Sequence, residues 1–451
     1  MTLNNFSAFK ANDIRGKIPE ELNEELAYDI GRAFASLVQG HKIVVGGDIR
    51  LSTPAIKTAL TKGLIEEGAQ VTDIGLCGTE EIYFATAQYG FDGGIMVTAS
   101  HNPLGHNGLK IVGKNATPLL GDLKLEHIKE VIINKAYAQS SQKGSLQSAE
   151  YRDEYIQKLL SFIDTKKIKP LKVLMNAGNG CAGPIIDAIE DFLPIEIIKI
   201  NNEPDGSFPH GIPNPLLHDR RQQTSDAVIA HQADLGIAWD GDCDRCFFFD
   251  EKGEFIEGYY IVGLLAEAFL KKHKNETIIH DPRLTWNSIS IIEKNHGQAI
   301  QSQTGHVFVK KNMRDHDAIY GGEMSAHHYF RDFAYCDSGM IPWLLVIELM
   351  SLNNQKLSHK MQGEKDAFPV SGEINRKVEH AAELISTIEK IYQNDAILID
   401  KIDGLSMEFK QWRFNLRRSN TEELLRLNVE SRGDTKLMQE KRDEILKIID
   451  S

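Results

Sequence analysis

The sequence has few cysteines, few prolines and no long apolar segment. Its five cysteines, an odd number, are scattered from Cys77 to Cys336, so we expect no disulfide framework and a reducing, cytoplasmic location. The 14 prolines and 36 glycines exclude a collagen-like or low-complexity chain. The apolar run at residues 343–347 ends at Glu348, and the start of the chain has no apolar core. We therefore expect neither a membrane-spanning helix nor a signal peptide.

The sequence also has fewer positively charged than negatively charged residues. The 51 lysines and arginines face 64 aspartates and glutamates, which gives a formal net charge of -13. A field of this sign repels nucleic acids and anionic membranes, so we expect neither as a partner. An anionic substrate then requires a local cluster of cations.

The chain is too long for one hydrophobic core. Single domains usually stop growing near about 250–300 residues, so a chain of 451 residues predicts three or four domains. Helical patterns alternate with short apolar runs, which is typical of α/β units with parallel or mixed sheets. Strand-like openings at residues 42–45, 171–175 and 277–280 predict three related units. The polar segment 138–148 predicts the first boundary between them.

The last part of the chain follows a different pattern. After about residue 361, strand candidates at 412–416 and 424–429 flank a polar loop, and a helical pattern covers 434–449. This order predicts a smaller α+β domain.

Three segments share a polar approach, a short strand and then a polar loop. They cover residues 92–101, 234–242 and 317–325. In open α/β sheets ligands bind beyond the carboxyl ends of the strands, so each unit could offer one such loop to a shared cleft. The alternative is that short strands followed by turns look alike by chance.

The second of these loops carries three carboxylates at alternate positions, Asp240, Asp242 and Asp244. Oxygen ligands this close repel one another unless a hard cation neutralises them, which favours Mg²⁺ or Ca²⁺. A calcium EF-hand is excluded because Arg245 stands where that loop needs glycine, and the phenylalanines at 247–249 predict a buried strand. A solvated acidic turn is the alternative interpretation.

The first loop carries Ser100 and His101 directly after a strand. A serine at a strand end can be a nucleophile or a phosphate carrier if its surroundings neutralise charge and move a proton. Because adjacent side chains on a loop rarely face each other, we expect His101 to hold the loop or touch a phosphate rather than act as the base for Ser100. The alternative is an ordinary turn.

The polar loop of the last domain has the sequence Arg417-Arg418-Ser419-Asn420-Thr421. Two guanidinium groups followed by hydroxyl and amide donors suit a phosphate dianion. A charged hairpin turn is the alternative.

In their order along the chain, four motifs resemble those of the α-D-phosphohexomutase superfamily. They are Thr98-Ala99-Ser100-His101-Asn102-Pro103, Asp240-Gly241-Asp242-Cys243-Asp244-Arg245, Gly322-Glu323-Met324-Ser325 and Arg417-Arg418-Ser419-Asn420-Thr421. The resemblance covers essentially the whole chain. Stretches such as Leu427-Asn428-Val429-Glu430-Ser431-Arg432-Gly433 look closest to the bacterial phosphomannomutases of that superfamily.

The resemblance implies four domains around one central cleft. Three would be related α/β domains with mixed sheets, at residues 1–148 with the phosphoserine loop, 149–252 with the metal loop and 253–362 with the sugar-binding loop. The fourth would be a C-terminal α+β domain at 363–451 with the phosphate-binding loop.

The resemblance also implies an intramolecular phosphotransferase that interconverts mannose 6-phosphate and mannose 1-phosphate and feeds GDP-mannose synthesis. Ser100 would rest as a phosphoserine, with one Mg²⁺ per subunit held by Asp240, Asp242, Asp244 and a phosphate oxygen on Ser100. A hexose 1,6-bisphosphate would be the intermediate and the activator. The expected partners are small hexose phosphates, and the chain would be a monomer or a homodimer. The alternatives are a phosphoglucomutase or a mutase of dual specificity, a metal-dependent phosphatase, and a non-catalytic sugar-phosphate-binding protein.

Roles for further residues follow from the same resemblance. Proton transfer or charge stabilisation is implied for Arg15, Lys110 and His327, with His327 the preferred general base, and His101 is counted among the catalytic residues of the Ser100 loop. Substrate binding is implied for Arg245, Arg283, Glu323, Ser325, Arg417, Ser419, Asn420 and Thr421.

Overall fold

Short buried strands alternate with helices along most of the chain. A computed structural model describes residues 6–38, 41–119, 124–418 and 424–450. Two units divide the chain, the first comprising Met1–Phe255 and Tyr329–Asn353 and the second comprising Ile256–His328 and Asn354–Ser451. Within the described ranges, every helix is too short or too polar to cross a membrane.

The strands, in chain order, are β1 (Ile14–Lys17), β2 (Lys42–Gly47), β3 (Gln70–Leu76), β4 (Gly93–Val97), β5 (His106–Gly113), β6 (Ser145–Ser148), β7 (Lys172–Asn176), β8 (Glu196–Ile200), β9 (Leu235–Trp239), β10 (Cys246–Phe249), β11 (Phe255–Ile256), β12 (Thr277–His280), β13 (Gln298–Gln301), β14 (Tyr320–Gly322), β15 (His328–Phe330), β16 (Cys336–Asp337), β17 (Ile374–Lys377), β18 (Leu398–Asp400), β19 (Leu405–Glu408), β20 (Trp412–Arg418) and β21 (Leu424–Ser431). The α-helices are α1 (Glu24–Leu37), α2 (Thr53–Glu66), α3 (Thr79–Gln88), α4 (Leu125–Asn134), α5 (Arg152–Leu160), α6 (Ala182–Ile189), α7 (Gln222–His231), α8 (Gly258–Lys272), α9 (Trp286–Lys294), α10 (His306–Asp315), α11 (Ile341–Asn353), α12 (Leu357–Ala367), α13 (Ala381–Tyr392) and α14 (Thr435–Ile449).

The first sheet is mixed, with the strand order β1-β5-β4-β2-β3-β6. Strand β2 is parallel to β3 and β4, whereas β5 is antiparallel to both β4 and β1. Strand β4 is buried along its whole length, as expected for a central strand with both faces covered. The loop that carries Ser100 therefore begins at the end of a rigid, buried strand.

The polar segment 138–148, predicted to be a boundary, ends in the strand β6. This strand is exposed at each of its residues and pairs in parallel with β3 at the edge of the first sheet. The prediction missed it because backbone hydrogen bonds, not an apolar side-chain pattern, hold the strand in place. The domain boundaries themselves stay predictions.

The second sheet has the order β11-β10-β9-β7-β8. Strand β9 is parallel to β7 and antiparallel to β10, and both β9 and β10 are buried at every residue. This confirms the prediction that the phenylalanines at 247–249 belong to a buried strand. The three aspartates consequently lie on the tight connection between two buried antiparallel strands.

Helix α3 is fixed at its first turn by a buried carboxylate. Glu80 accepts hydrogen bonds from Ser338 Oγ and from the backbone N–H groups of Gly339 and Met340, just before α11 begins. This contact sets where α3 starts and therefore where the neighbouring Thr79 side chain lies.

In the second unit, β12 lies between β13 and β14 and is parallel to both. The last sheet, with the order β17-β21-β20-β19-β18, is antiparallel throughout. Side chains of α13 and α14, such as Ile388 and Ile445, share a core with Trp412 and Phe414 of β20. This arrangement confirms the predicted C-terminal α+β domain.

Helices α1 and α2 approach each other at two glycines. A Cβ atom on Gly63 would lie 2.0 Å from the backbone oxygen of Tyr28, and one on Gly31 would lie 2.3 Å from that of Leu60. Both obstacles are backbone atoms, so no side-chain rotation can relieve the overlap. The two helices can pack this closely only because these positions have no side chain.

We predict that Gly63→Ala lowers the free energy of unfolding by about 1–3 kcal/mol or more, because the two helices must move apart. Gly363→Ala, at an exposed position of α12 with nothing within 4 Å of the added Cβ, is the matched control. It should raise stability by up to about 1 kcal/mol through helix propensity. Urea unfolding of both variants measures the difference, and equal effects of the two substitutions would contradict the packing explanation.

Candidate active site

Ser100 lies directly after β4 and its hydroxyl faces the acidic loop. Its Oγ donates a hydrogen bond of 2.7 Å to Asp240 Oδ2 and lies 3.0 Å from His101 Nδ1. The expectation that the adjacent Ser100 and His101 side chains do not face each other is therefore wrong. The reason is the backbone of Ser100, whose φ of 47° turns the chain in the left-handed sense. Because the single hydroxyl proton points to Asp240, the His101 nitrogen can only donate to Ser100 Oγ in this arrangement.

Arg50 holds the Ser100 loop in place. Its guanidinium group donates hydrogen bonds of 2.5–3.1 Å to the backbone oxygens of Ser100, Asn102, Pro103 and His106. The left-handed conformation costs a non-glycine residue about 1–3 kcal/mol, which these bonds help to offset. Asp48 pairs with Arg50 at 3.4 Å. Sequence reasoning missed both residues, although they follow β2 just as the Ser100 loop follows β4.

Arg15 reaches the same loop from β1. Its guanidinium donates to Asn102 Oδ1 at 2.8 Å and pairs with Asp13 Oδ2 at 2.7 Å. The structure thus brings Arg15 to the Ser100 loop through Asn102.

The carboxylates of Asp240, Asp242 and Asp244 are all buried, and each offers an oxygen within 4.8 Å of the others. The loop that carries them also touches the Ser100 loop. A Cβ atom on Gly241 would lie 2.6 Å from the backbone oxygen of Ser100. Glycine at this position therefore allows the two loops to approach at backbone distance.

Two cations oppose this negative charge. Lys110, on β5, donates from Nζ to Asp242 Oδ2 at 2.7 Å and also to Asp244 Oδ2. Although burial works against its charge, these two carboxylates raise the pKa of Lys110. Arg245 lies with its Nε 3.6 Å from Asp240 Oδ2. The acidic loop is therefore paired with the lysine and the arginine that the sequence resemblance assigned to the same site.

The aspartates differ in their electrostatic surroundings. Burial, together with the charges of Asp244 and Asp242, raises the pKa of Asp240 to about 7. For Asp242, burial has the same tendency, but the charge and the hydrogen bond of Lys110 hold the pKa below its usual range. The raised pKa of Asp240 indicates that Lys110 and Arg245 do not fully offset the negative charge of the three aspartates.

The donor set fits a hard divalent cation. Asp240 Oδ1 and Asp242 Oδ1 are buried and accept no hydrogen bond from any residue that the structure describes. A buried carboxylate oxygen without a donor is costly unless a cation coordinates it. Together with the nearby Asp244 carboxylate, these two side chains could hold Mg²⁺ through their oxygens.

Thr79 orients one of these aspartates and was missed by sequence reasoning. Its Oγ1 donates to Asp242 Oδ2 at 2.6 Å, and its backbone N–H donates to Asp242 O at 3.0 Å. Outer hydrogen bonds of this kind fix the direction of a ligand oxygen. No local pattern could have revealed Thr79, since the contact spans 163 positions of the chain.

In the second unit, Arg283 lies among acidic and hydroxyl groups. It pairs with Asp281 at 2.7 Å, donates to Ser325 Oγ at 3.3 Å and lies 3.8 Å from Glu323. Although burial works against its charge, Asp281 and the other nearby carboxylates raise the pKa of Arg283. Glu323 Oε1 in turn accepts the backbone N–H of Gly305 at 2.9 Å, at the start of α10.

The backbone before α9 is held by a buried ion pair. Glu430, on β21, accepts the N–H of Thr285 at 2.7 Å and pairs with Arg413 at 2.8 Å. Arg413 also donates to the backbone oxygens of Pro282 and Arg283 at 2.9 and 3.1 Å. The C-terminal domain therefore fixes the loop that carries Arg283.

Arg417 lies in a cluster of arginines around one carboxylate. Glu373 lies 3.1 Å from Arg417, 3.3 Å from Arg426 and 3.6 Å from Arg283. Burial works against the charge of Glu373, but the three arginines hold its pKa below the usual range. Sequence reasoning missed Glu373 and Arg426, because an isolated charge next to a strand looks like surface.

The remaining predicted residues are placed only in part. His327 lies two residues after Ser325, and its backbone oxygen accepts the N–H of Glu323 at 2.9 Å. Ser419, Asn420 and Thr421 lie outside the described residues.

The predicted site residues fall into two groups. The first unit contains Arg15, Ser100, His101, Lys110, Asp240, Asp242, Asp244 and Arg245. The second unit gathers Arg283, Glu323, Ser325 and Arg417, with His327 on the same segment as Glu323.

Comparison with known families gives a match along four consecutive parts of the chain. The models for phosphoglucomutase/phosphomannomutase alpha/beta/alpha domains I, II and III match residues 7–139, 153–253 and 257–367. The model for the C-terminal domain of the same family matches residues 373–448.

Curated relatives are similar over almost their whole length. A phosphomannomutase of Salmonella montevideo is 55% identical over 456 residues, covering 100% of both chains. A phosphomannomutase of Escherichia coli K12 is 53% identical over 450 residues, covering 98% of this chain and 99% of the relative. A Xanthomonas campestris protein named phosphohexose mutases is 50% identical over 442 residues, with the same coverage.

Solved structures share the fold. The crystal structure of a phosphoglucomutase/phosphomannomutase family protein from Burkholderia thailandensis has a TM-score of 0.89 at 29% identity, covering 99% of this chain and 97% of that one. An Aspergillus fumigatus N-acetylphosphoglucosamine mutase, solved with GlcNAc-6P and magnesium, has a TM-score of 0.63 at 14% identity, covering 99% and 96%. The four motifs, the four matched domains and these full-length identities agree, and the chain belongs to the phosphoglucomutase/phosphomannomutase family of phosphohexomutase enzymes.

Proposed function

We propose that the chain interconverts mannose 6-phosphate and mannose 1-phosphate through a phosphoserine on Ser100. The observation that carries the proposal is the 2.7 Å hydrogen bond from Ser100 Oγ to Asp240 Oδ2, because it brings a hydroxyl nucleophile to a loop suited to a divalent cation. Relatives named phosphomannomutase that are 52% to 55% identical over at least 98% of the chain support mannose as the sugar.

The reaction is two phosphoryl transfers in opposite directions. In the first, a sugar hydroxyl oxygen attacks the phosphorus and the bond from phosphorus to Ser100 Oγ breaks. The proton of the sugar hydroxyl passes to a base, for which we propose His327, and the freed Ser100 Oγ takes up a proton. The product is a hexose 1,6-bisphosphate. In the second, the Ser100 hydroxyl gives up its proton and Oγ attacks the other phosphate of the reoriented bisphosphate. The bond from that phosphorus to the sugar oxygen breaks and the sugar oxygen takes up a proton, which restores the phosphoserine and releases the isomer.

The first unit neutralises the charge that moves in these steps. Lys110 and Arg245 already oppose the aspartates, and Arg15 contacts the Ser100 loop through Asn102. Such cations stabilise the negative oxygens of the transferring group more than those of the free sugar. A Mg²⁺ held by Asp240, Asp242 and Asp244 would supply further charge neutralisation.

The second unit binds the parts of the substrate that do not react. We assign the sugar hydroxyls to Glu323 and Ser325, which lie on one loop beside Arg283. We assign the non-reacting phosphate to Arg417 with Ser419, Asn420 and Thr421.

The same proposal includes an activator and a use for the product. A hexose 1,6-bisphosphate would phosphorylate Ser100 again whenever its phosphate is lost, and mannose 1-phosphate would feed GDP-mannose synthesis.

We predict that Ser100→Ala abolishes mutase activity and removes one phosphate group from the intact mass of the protein, because no other side chain carries it. The measurement is intact-mass spectrometry after incubation with a hexose 1,6-bisphosphate. Ser161→Ala is the matched control, since that exposed hydroxyl only bonds a backbone oxygen at the end of α5, and it should keep the phosphate. A phosphate retained on the Ser100→Ala protein would refute the carrier role.

Thr79→Val should weaken Mg²⁺ binding by about 10–100-fold while the protein stays folded, because Asp242 loses the hydrogen bond that directs its oxygen. Isothermal titration with Mg²⁺ measures the affinity directly, without relying on activity. Thr58→Val, at an exposed hydroxyl of α2, should leave the affinity unchanged. If both variants bind Mg²⁺ like the unaltered protein, Thr79 does not orient a metal ligand.

Mannose 6-phosphate should give the highest kcat/KM among hexose phosphates. Mannose and glucose differ only at the 2-hydroxyl, so we expect glucose 6-phosphate to follow within about 100-fold. A coupled assay with the phosphates of mannose, glucose and glucosamine ranks them. A glucosamine phosphate that reacts as fast as mannose 6-phosphate would exclude the proposed substrate.

A further inference from the structure

Two arginines of the C-terminal domain face each other across neighbouring strands. Arg417 on β20 and Arg426 on β21 are directly opposite partners in the antiparallel ladder. Like charges in this position destabilise a sheet unless a counter-charge is close. We therefore expect an acidic side chain close to Arg417 and Arg426.

Glu373, immediately before β17, supplies that counter-charge. One of its oxygens lies 3.1 Å from Arg417 and 3.6 Å from Arg283, and the other lies 3.3 Å from Arg426. Asp281 and Glu323 also lie near Arg283. Asp281 pairs with the Arg283 guanidinium at 2.7 Å and accepts the N–H groups of Arg283 and Met324. Among the described residues, Glu373 is the carboxylate that these three arginines share.

The same arginines keep donors that the carboxylate does not use. The Nε atoms of Arg417 and Arg283 are buried and donate to no residue in the described part of the chain. A buried guanidinium with an unused donor suits a further anion, and a phosphate dianion can take several such donors at once. Phosphate and Glu373 would then share one set of guanidinium groups, and their negative charges would repel each other.

This repulsion matches a requirement of the reaction. In the mechanism proposed above, the two phosphates of the bisphosphate must occupy the arginine site in turn. A site that binds phosphate too tightly would retain the intermediate and slow the exchange. A fixed carboxylate among the arginines weakens the site for either phosphate equally, because it acts on the charge and not on the sugar.

We propose that Glu373 weakens phosphate binding at the site formed by Arg283, Arg417 and Arg426, so that the bisphosphate can leave and return in the other orientation. The proposal rests on the proposed function for the reorientation step, but not for the competition between the carboxylate and the phosphate. It makes Glu373 a positioning residue that sets the strength of the arginine site and takes no part in bond making.

Glu373→Gln tests the proposal because it removes the charge and keeps the shape. The affinity for inorganic phosphate, measured by isothermal titration with the full-length protein, should rise about tenfold or more. With mannose 6-phosphate, both kcat and KM should fall, while kcat/KM should not decrease, because release rather than capture becomes slow. Glu389→Gln, which removes a charge paired with Lys401 elsewhere in the same domain, should change none of these values.

Two further variants fix the interpretation. Glu373→Asp keeps the charge but moves the carboxylate away from the arginines, because its side chain is one methylene shorter. Its phosphate affinity should therefore lie between those of the unaltered protein and Glu373→Gln. If Glu373→Gln does not fold, the phosphate affinity of Glu373→Asp tests the proposal instead. Adding Arg417→Ala to Glu373→Gln should abolish the gain in affinity.

Phosphate binding to Glu373→Gln that is unchanged or weaker than in the unaltered protein would overturn the proposal, as would a gain that survives Arg417→Ala. Failure of the unaltered protein to isomerise mannose phosphates would instead refute the proposed function. The phosphate titration would still decide whether Glu373 opposes phosphate binding.

Discussion

Buried negative charge is the constraint around which the first unit is organised. Taking one carboxylate out of water costs on the order of several kcal/mol, and Asp240, Asp242 and Asp244 also repel one another. The structure tolerates them because Lys110 comes from β5 of the first sheet and Arg245 from the end of the acidic loop itself. The two sheets of this unit must therefore meet before either the acids or the lysine can be buried, which ties the formation of the site to the packing of the fold.

In the second unit, the clustered charges that need counter-charges are positive. Arg283, Arg417 and Arg426 converge on one side of the C-terminal sheet, and Glu373 stands among them. Removing either partner of such a buried pair leaves an uncompensated charge. The free-energy cost of that charge is much larger than the stabilisation that the intact pair provides. Each unit thus presents a charged cluster: three aspartates with Lys110 and Arg245 in the first unit, and three arginines around Glu373 in the second. Such clusters suit a cation and a phosphate, respectively.

The parts of the fold and the site that the sequence could predict are those that depend on local pattern. The strand at 277–280 has the predicted bounds, and the acidic loop can be recognised because three aspartates stand within five consecutive positions after an apolar run. Thr79, Arg50 and Glu373 could not be predicted, since each acts on a loop or strand far away in sequence. The expectation about the Ser100 and His101 side chains failed for a related reason, because the left-handed loop at Ser100 is held by hydrogen bonds from the distant Arg50.

The bond between Ser100 and Asp240 links the two proposals for this site, a phosphoserine on Ser100 and a divalent cation in the acidic loop. The hydroxyl proton of Ser100 makes the 2.7 Å contact with Asp240 Oδ2 favourable. Phosphorylation of Ser100, as we propose it, would remove that proton and set a phosphate dianion beside the carboxylate, so the contact would change from attraction to repulsion. Arg50 keeps the loop in place through backbone oxygens that phosphorylation does not alter, and the serine therefore cannot simply move away. A divalent cation held by the acidic loop would offset this repulsion, so the proposed carrier role of Ser100 would account for the position of the acidic loop beside it.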